Sequence, residues 1–371
     1  LISLSADEVV QRAAPHQEGA VQMSANGTGS VSAPTVKDVA ERAGVSPMTV
    51  SRTLSGGKNV RPEVQQKVLA AVAELGYHRN ENARSIRPGH SSGLIGVAIT
   101  NLGNPYYGQF ALGVEEVASL HGRRIMLGNT GEELARETQL VSDFVGRQVE
   151  GLIVVPTGGS AKHLRPGRLG GIPLVLASRT VEGLSADTVL LDDINGAYEA
   201  TTRVIDEGHT RIGFLGNVVS VSTARRRYEG FLRALAEHGL EPDPELIRRG
   251  QQDVTAARLA MDELLDLEHP PTAVFSANNR NTIGALQAIG TRQREGDATP
   301  APTLVGFDDV ELADMMQVPL LIVSHDPRML GARAAQMLFD RLDDPGLADD
   351  ARLLELPVNV GEVSLAASPR P

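Results

Sequence analysis

The sequence predicts a small all-α module joined to a large body made of two parallel-sheet α/β units. Three observations predict it. Between Thr35 and His78, apolar residues recur at spacings of 3, 4 and 7, interrupted by Gly and Pro where helices end and begin. From Ser92 onward, continuous apolar runs alternate with amphipathic stretches, the pattern of strands covered by helices on both faces. The 371 residues exceed one ordinary domain, and a hydrophobic content of 41% suffices for more than one core.

Residues 1–34 are rich in Ser, Ala, Gly and Gln without periodicity and are expected to be disordered. The chain opens on Leu1, and Met23, its first methionine, is the expected native start. The module follows over 35–79. Val36, Val39, Ala40 and Ala43 share one helical face, and Gly44 can take the left-handed conformation that stops a helix. Ser46 then offers an N-cap hydroxyl and Pro47 suits a first helical position, so a second helix, with Val50 and Leu54 as its stripe, begins at once. Helices joined by so tight a turn cross steeply, which is helix-turn-helix geometry. A third helix, from Pro62 to Leu75, brings Val64, Val68, Leu69, Val72 and Leu75 to one side and closes the core. Residues 80–92 form a polar, Arg-containing linker with one isolated apolar residue, Ile86.

Nine strands are expected in the body, 93–367: LIGVAIT, RIMLGNT, GLIVVPT, PLVLAS, TVLLDD, RIGFLGN, AVFSAN, TLVGFDD and LLIVSHD. The expected first subdomain is about 93–191 with 324–352, and the second about 192–323 with 353–367. Ligands of such sheets bind beyond the carboxyl ends of the strands, which directs attention to the polar residues there.

Charge divides the chain the same way. Residues 34–90 carry nine Lys/Arg against five acids, whereas the whole chain is at −11. A basic module on an acidic body suggests nucleic acid as the partner of the first only. No run of about 18 apolar residues and no basic-then-apolar leader pattern occurs, so a cytoplasmic address is expected. Zero cysteines exclude disulfides, thiolate metal sites and cysteine nucleophiles. The nine histidines are scattered and neither HExxH nor a P-loop occurs, so no enzyme, metal or cofactor is expected. His325-Asp326 reads as a structural hinge where the chain crosses between subdomains.

The stretch KDVAERAGVSPMTVSRTL, followed in order by NPYYGQFALGVE, RYEGF, PTAVFSAN and VGFDD, resembles the lactose repressor and galactose repressor family of bacterial transcription regulators, from about Thr35 to Val363. The resemblance implies a helix-turn-helix module, a hinge helix and a two-lobed body like that of periplasmic binding proteins. It places Pro47, Met48 and Arg52 toward base edges and Thr49 and Ser51 toward phosphates, with Thr35, Ser46 and Asn59 completing the set. Arg52 can bond guanine bidentately or touch a phosphate instead. Ile86, where the family has Leu, inherits the role of a wedge in the minor groove, with Arg84 and Arg87 on nearby phosphates. So short a segment is expected to be disordered alone and helical when two copies meet on DNA.

In the body the resemblance assigns Tyr106, Tyr107, Arg227, Asn278 and Asp308 to a small-molecule effector. Tyr107 would serve equally as a core aromatic, and Asp308 as an ion-pair partner between subdomains. Such groups suit a polyol, whose hydroxyls both donate and accept, and would also fit a nucleobase. Besides Ile86, the sequence departs from the family at four places. Arg61 replaces a capping Ser before the third helix, and His78-Arg79-Asn80 replaces a Pro-Asn pair. Ser178 replaces an acid before Arg179, and Asn279-Arg280 follows Asn278 where an acid is usual. The implied function is a homodimeric, allosteric regulator, a repressor of a palindromic operator controlled by a carbohydrate, as inducer or as corepressor. A periplasmic-type sugar carrier is the alternative from another class, and a sugar-processing enzyme fails on the missing catalytic groups.

Overall fold

A computed structural model describes residues 33–56, 60–77, 92–311, 313, 318–344, 346–347 and 350–363. Asn59, Arg84, Arg87 and Ile86, the linker up to residue 91 and the proposed start at Met23 lie outside the described residues. The chain divides into two compact units, Leu1–Glu81 and Asn82–Pro371.

In the first unit, α1 (Val36–Ala43) opens with a capping box: Thr35 N–H donates to the Asp38 carboxylate at 2.6 Å, and Asp38 N–H donates to the Thr35 hydroxyl at 3.4 Å. Gly44, at φ 67°, ends it, and Val45 N–H returns to Ala40 O at 3.0 Å. Ser46 caps α2 (Pro47–Leu54) by accepting from Thr49 N–H at 3.2 Å. At α3 (Pro62–Leu75), Arg61 occupies the N-cap with no side-chain bond, and Gln65 Nε2 instead donates to Val60 O at 2.9 Å. The core is Val39, Ala40, Val50, Val68, Ala71 and Tyr77. Leu69, expected inside, is 54% exposed. The buried stripe runs through Val68 and Ala71, and Leu69 is rotated one residue, about 100°, out of it.

The second unit holds two six-stranded sheets with the same strand order. The first contains β1 (Leu94–Ile99), β2 (Arg124–Asn129), β3 (Gly151–Val154), β4 (Leu174–Ala177), β5 (Asp187–Leu191) and β11 (Leu353–Leu356), ordered β2-β1-β3-β4-β5-β11 and parallel throughout. The second contains β6 (Ile212–Gly216), β7 (Ile247–Arg249), β8 (Ala273–Ser276), β9 (Thr303–Phe307), β10 (Leu320–Ser324) and β12 (Asn359–Glu362), ordered β7-β6-β8-β9-β10-β12, with only β12 antiparallel. Around the first lie α4 (Pro105–Leu120), α5 (Leu134–Gly146), α6 (Pro166–Leu169) and α11 (Pro327–Asp343); around the second, α7 (Asp193–Asp206), α8 (Ser222–Glu237), α9 (Val254–Leu265) and α10 (Asn279–Arg294). The central strands are buried along all but a terminal residue, and each sheet has an apolar layer on both faces, as their continuous apolar runs require.

The chain crosses between subdomains after β5, after β10 and at Pro357-Val358. The third crossing differs from the expected boundary at 353: Leu353–Leu356 pairs with β5 and belongs to the first sheet. Its docking is enforced by Asp187 at the start of β5, whose carboxylate accepts from Arg341 at 2.6 and 2.8 Å and from the backbone and side chain of Arg352 at 2.8 Å. Helices α4 and α11 touch through two glycines. A methyl added at Gly331 would lie 2.1 Å from Phe110 O, and one at Gly113 1.9 Å from Arg328 O.

Candidate functional site

In the first unit, α2 sorts its side chains into two faces. Val50 and Thr53 are buried, while Pro47, Met48 and Arg52 are exposed, Met48 by 63%. Positions 48 and 52, one turn apart, lie on the same side. Thr49 and Ser51 are half-buried. The Thr49 hydroxyl bonds that of Ser46 at 2.9 Å, and the Thr35 hydroxyl donates to Asp38 at 2.8 Å, so Thr35, Ser46 and Thr49 already shape the helix ends.

In the second unit, both sheets end at a shared cleft with a cavity of about 80 Å³. In each sheet the order reverses beside the first strand, between β1 and β3 and between β6 and β8, and a crevice opens at such a switch point. All five effector residues expected from the sequence, Tyr106, Tyr107, Arg227, Asn278 and Asp308, line this cleft. Three of the four described non-glycine residues with positive φ are there too, each just past a strand: Glu132 at 63°, Ser178 at 65° and Asp308 at 70°. Such backbone costs about 1–3 kcal/mol per residue and is characteristic of functional sites.

Arg227, on α8, is the centre of the polar wall. Its Nε donates to Asp193 at 2.8 Å, Nη1 to Ala277 O at 2.7 Å and to Asp308 at 3.2 Å, and Nη2 to Asp308 at 3.4 Å. Its guanidinium carbon lies 3.6 Å from the centre of the Phe307 ring. Burial opposes the charge of Arg227, but Asp308 and Asp193 outweigh it and raise the pKa. Burial also raises the pKa of Asp193, against the pull of Arg227. Asp308 therefore pairs within its own subdomain, not across the cleft as one reading allowed. On the opposite wall Arg179 donates bidentately to Glu132 at 2.7 and 2.9 Å and to Pro156 O at 3.1 Å.

Tyr106 and Tyr107 meet edge to face at 5.1 Å, and burial raises both phenol pKa values. Tyr107 is buried in the first core and also lines the cleft. Asn278 commits its side-chain oxygen to Asn281 N–H at 2.9 Å as the N-cap of α10, leaving its amide nitrogen as a donor. Hydrogen bonds also join the two lobes. Asn104 and Asn279 exchange reciprocal amide hydrogen bonds at 3.2 and 3.0 Å, and Ser222 Oγ accepts from Thr180 N–H at 3.0 Å.

Glu132, Arg179, Asn104 and Asp193 were not assigned from the sequence. Each lies within four residues of a strand end or first turn, the signal that the strand-end rule supplies, but that rule names many polar residues without choosing among them. Among the described residues no group of His, Asp and Glu could hold a metal ion, and no helix is long and apolar enough to cross a membrane.

A helix-turn-helix on one unit and a two-lobed body with a cleft on the other are the architecture of DNA-binding regulators with an effector domain. Residues 35–80 match the family model described as bacterial regulatory proteins, lacI family, and residues 92–352 match that of periplasmic binding proteins and the sugar-binding domain of the LacI family. The chain belongs to the lacI family of bacterial regulatory proteins. It is 31% identical to the ribose operon repressor of Haemophilus influenzae over 84% of this chain and 92% of that one. It is 28% identical to the repressor CytR of Escherichia coli, covering 87% of this chain and 94% of that protein. Among solved structures, the lac repressor dimer bound to operator and an anti-inducer matches with a TM-score of 0.75 and 25% identity, over 90% of this chain and 99% of that one. Its relatives are transcriptional repressors, which are not enzymes.

Proposed function

We propose that this protein is a homodimeric repressor that binds a palindromic operator and is controlled by a small, polyhydroxylated effector, a carbohydrate. The cleft carries the proposal: Arg179 and Arg227 are already matched by Glu132, Asp193 and Asp308, so on these two walls a ligand meets paired dipoles and amides, while Arg280, which also lines the cleft and whose Nε has no partner, adds a donor. Hydroxyls, which donate and accept together, satisfy such a wall. Pro47, Met48 and Arg52 read bases, Thr35, Ser46, Thr49, Ser51, Asn59 and Arg84 hold phosphates, and Ile86 wedges the minor groove. Exposed Leu112 and Leu120 on α4 and Leu127 on the edge strand β2 offer an apolar surface to a second copy. Closure of the cleft around the effector changes how two modules are presented to two half-sites.

The test is thermal shift of the full chain with a panel of neutral monosaccharides, D-ribose first because of the ribose operon relative, with and without DNA recovered by genomic selection. Binding that alters operator affinity is expected. Binding without any effect on DNA would mean a carrier, and turnover of the sugar an enzyme.

A further inference from the structure

His325 follows β10 on the second crossover and is buried, with a side chain only 3% exposed. Its Nε2 lies 3.2 Å from the Tyr106 hydroxyl, and the two rings pack edge to face at 5.5 Å. Its Nδ1 has no hydrogen-bond partner and faces Asp308 Oδ1 at 3.8 Å. The imidazole thus stands between a cleft-lining residue of the first subdomain and the acid that holds Arg227 in the second.

The two neutral tautomers are not equivalent here. With the proton on Nε2, the bare Nδ1 lone pair would face a carboxylate, which is repulsive. With the proton on Nδ1, the N–H dipole points at that carboxylate and Nε2 accepts from Tyr106. We propose that His325, neutral and protonated on Nδ1, fixes the hydrogen-bond polarity of Tyr106: the phenol donates to His325, and its oxygen, left as an acceptor, is shared between the Ser178 side chain and the cleft. This rests on the cleft being the effector site. The group of the effector against Tyr106 must then be a donor, a hydroxyl or N–H, and an ether or ketone oxygen is rejected there.

Protonation of His325 reverses the arrangement. Nε2–H would donate to the phenol, Tyr106 would turn its own proton into the cleft, and the imidazolium would compete with Arg227 for Asp308. The charged groups around the ring are Asp308 beyond β9, Arg227 on α8 and Asp326 next in the chain, with the Tyr106 phenol on α4. Burial lowers the pKa of His325 from its ordinary 6.5, and Arg227 adds to this against Asp308 and Asp326. The neutral form therefore prevails at pH 7, and the reversal comes only on the acid side of 6.5. His325 is a positioning residue, acting on the effector through Tyr106.

The test is ring spectroscopy of the full chain labelled with ¹⁵N-histidine from pH 5 to 8, the His325 signals being identified by their loss in His325→Gln, or in His325→Asn if the first does not fold. An Nδ1-protonated ring titrating below pH 6.5, whose Nε2 signal moves in Tyr106→Phe, is expected. An Nε2-protonated ring, or one cationic at pH 7, overturns the proposal. In a second arm, D-ribose affinity of the wild type should fall between about twofold and tenfold as pH drops through the titration the ring spectra record, the worth of one hydrogen bond, and stay level in His325→Gln. Absence of D-ribose binding at every pH counts against ribose as the effector, while the ring spectra still decide the tautomer.

Discussion

Replacing Asp187 by an asparagine tests how the first subdomain is held shut. The Asp187 side chain is wholly buried, between Arg341 on α11 and Arg352 just before β11. Burial alone would raise its pKa, but the hydrogen bonds from Arg341 and Arg352 outweigh burial and lower it from 3.8 to about 2. At 1.36 kcal/mol per pH unit, that difference is about 2 kcal/mol of folding stability. Because the folded value is depressed, this contribution is complete above pH 3.8 and is lost as pH falls through about 2. The amide that replaces the carboxylate keeps its shape and cannot carry its charge. Asp187→Asn should therefore cost about 2 kcal/mol at pH 7, or roughly 4–8 °C in melting temperature for a unit of this size. Calorimetry or urea denaturation at fixed protein concentration measures it, and repetition at lower pH supplies the control. The gap between variant and wild type should narrow below pH 4 and close near pH 2. A variant within 0.5 kcal/mol of wild type at pH 7, or a gap unchanged at pH 2.5, would refute the electrostatic account.

Three further outcomes are expected. Arg52→Ala should weaken binding to a genome-selected operator by about 1–3 kcal/mol and relax specificity at one base pair, measured by competition between operator variants; uniform weakening would mean a phosphate contact. Asn279→Ala removes both bonds to Asn104 and leaves a buried amide partly unpaired, at about 1–3 kcal/mol, so hydrogen exchange should quicken on both sides of the cleft and not on the far faces of the sheets. Gly331→Ala places a methyl against a backbone carbonyl of α4 and should destabilise the protein by at least about 1–3 kcal/mol, read by denaturation.

Much of the fold was legible because its central strands are buried on both faces and so must be apolar at every position. All nine expected strands are present. The three that escaped, Ile247–Arg249, Leu353–Leu356 and Asn359–Glu362, are edge strands. An edge needs no continuous apolar run, and IRR, LLEL and NVGE read as loop or tail. The late third crossing escaped for the same reason, since only pairing with β5 shows where Leu353–Leu356 belongs. In the module, Gly44, Ser46 and Pro47 mark helix ends by their own backbone chemistry, whereas the exposure of Leu69 depends on which face of α3 its neighbours cover.

The cleft was legible where a side chain sits in a motif and illegible where two distant side chains pair. Tyr106, Arg227 and Asp308 carry recognisable chemistry within their motifs. The Arg179–Glu132 pair joins residues 47 apart, and the Asn104–Asn279 pair residues 175 apart. Neither spacing leaves a local signal. His325 was read as a hinge from its place at a crossover, and nothing local could show that its ring reaches Tyr106.

The threading of the body also sets an order on synthesis. The three helices of the DNA-reading module are complete by Tyr77, whereas the first sheet lacks its last strand until Leu356 and the second until Glu362. At about 5–20 residues per second, roughly 15–55 s of translation separate the two events. A nascent or prematurely ended chain can therefore carry a finished DNA-reading module while neither lobe of the effector body can close. A chain cut before Pro327 would lack α11 and β11 as well, so nonsense mutations across this long interval should produce fragments that can still contact operator but cannot be released or recruited by the effector.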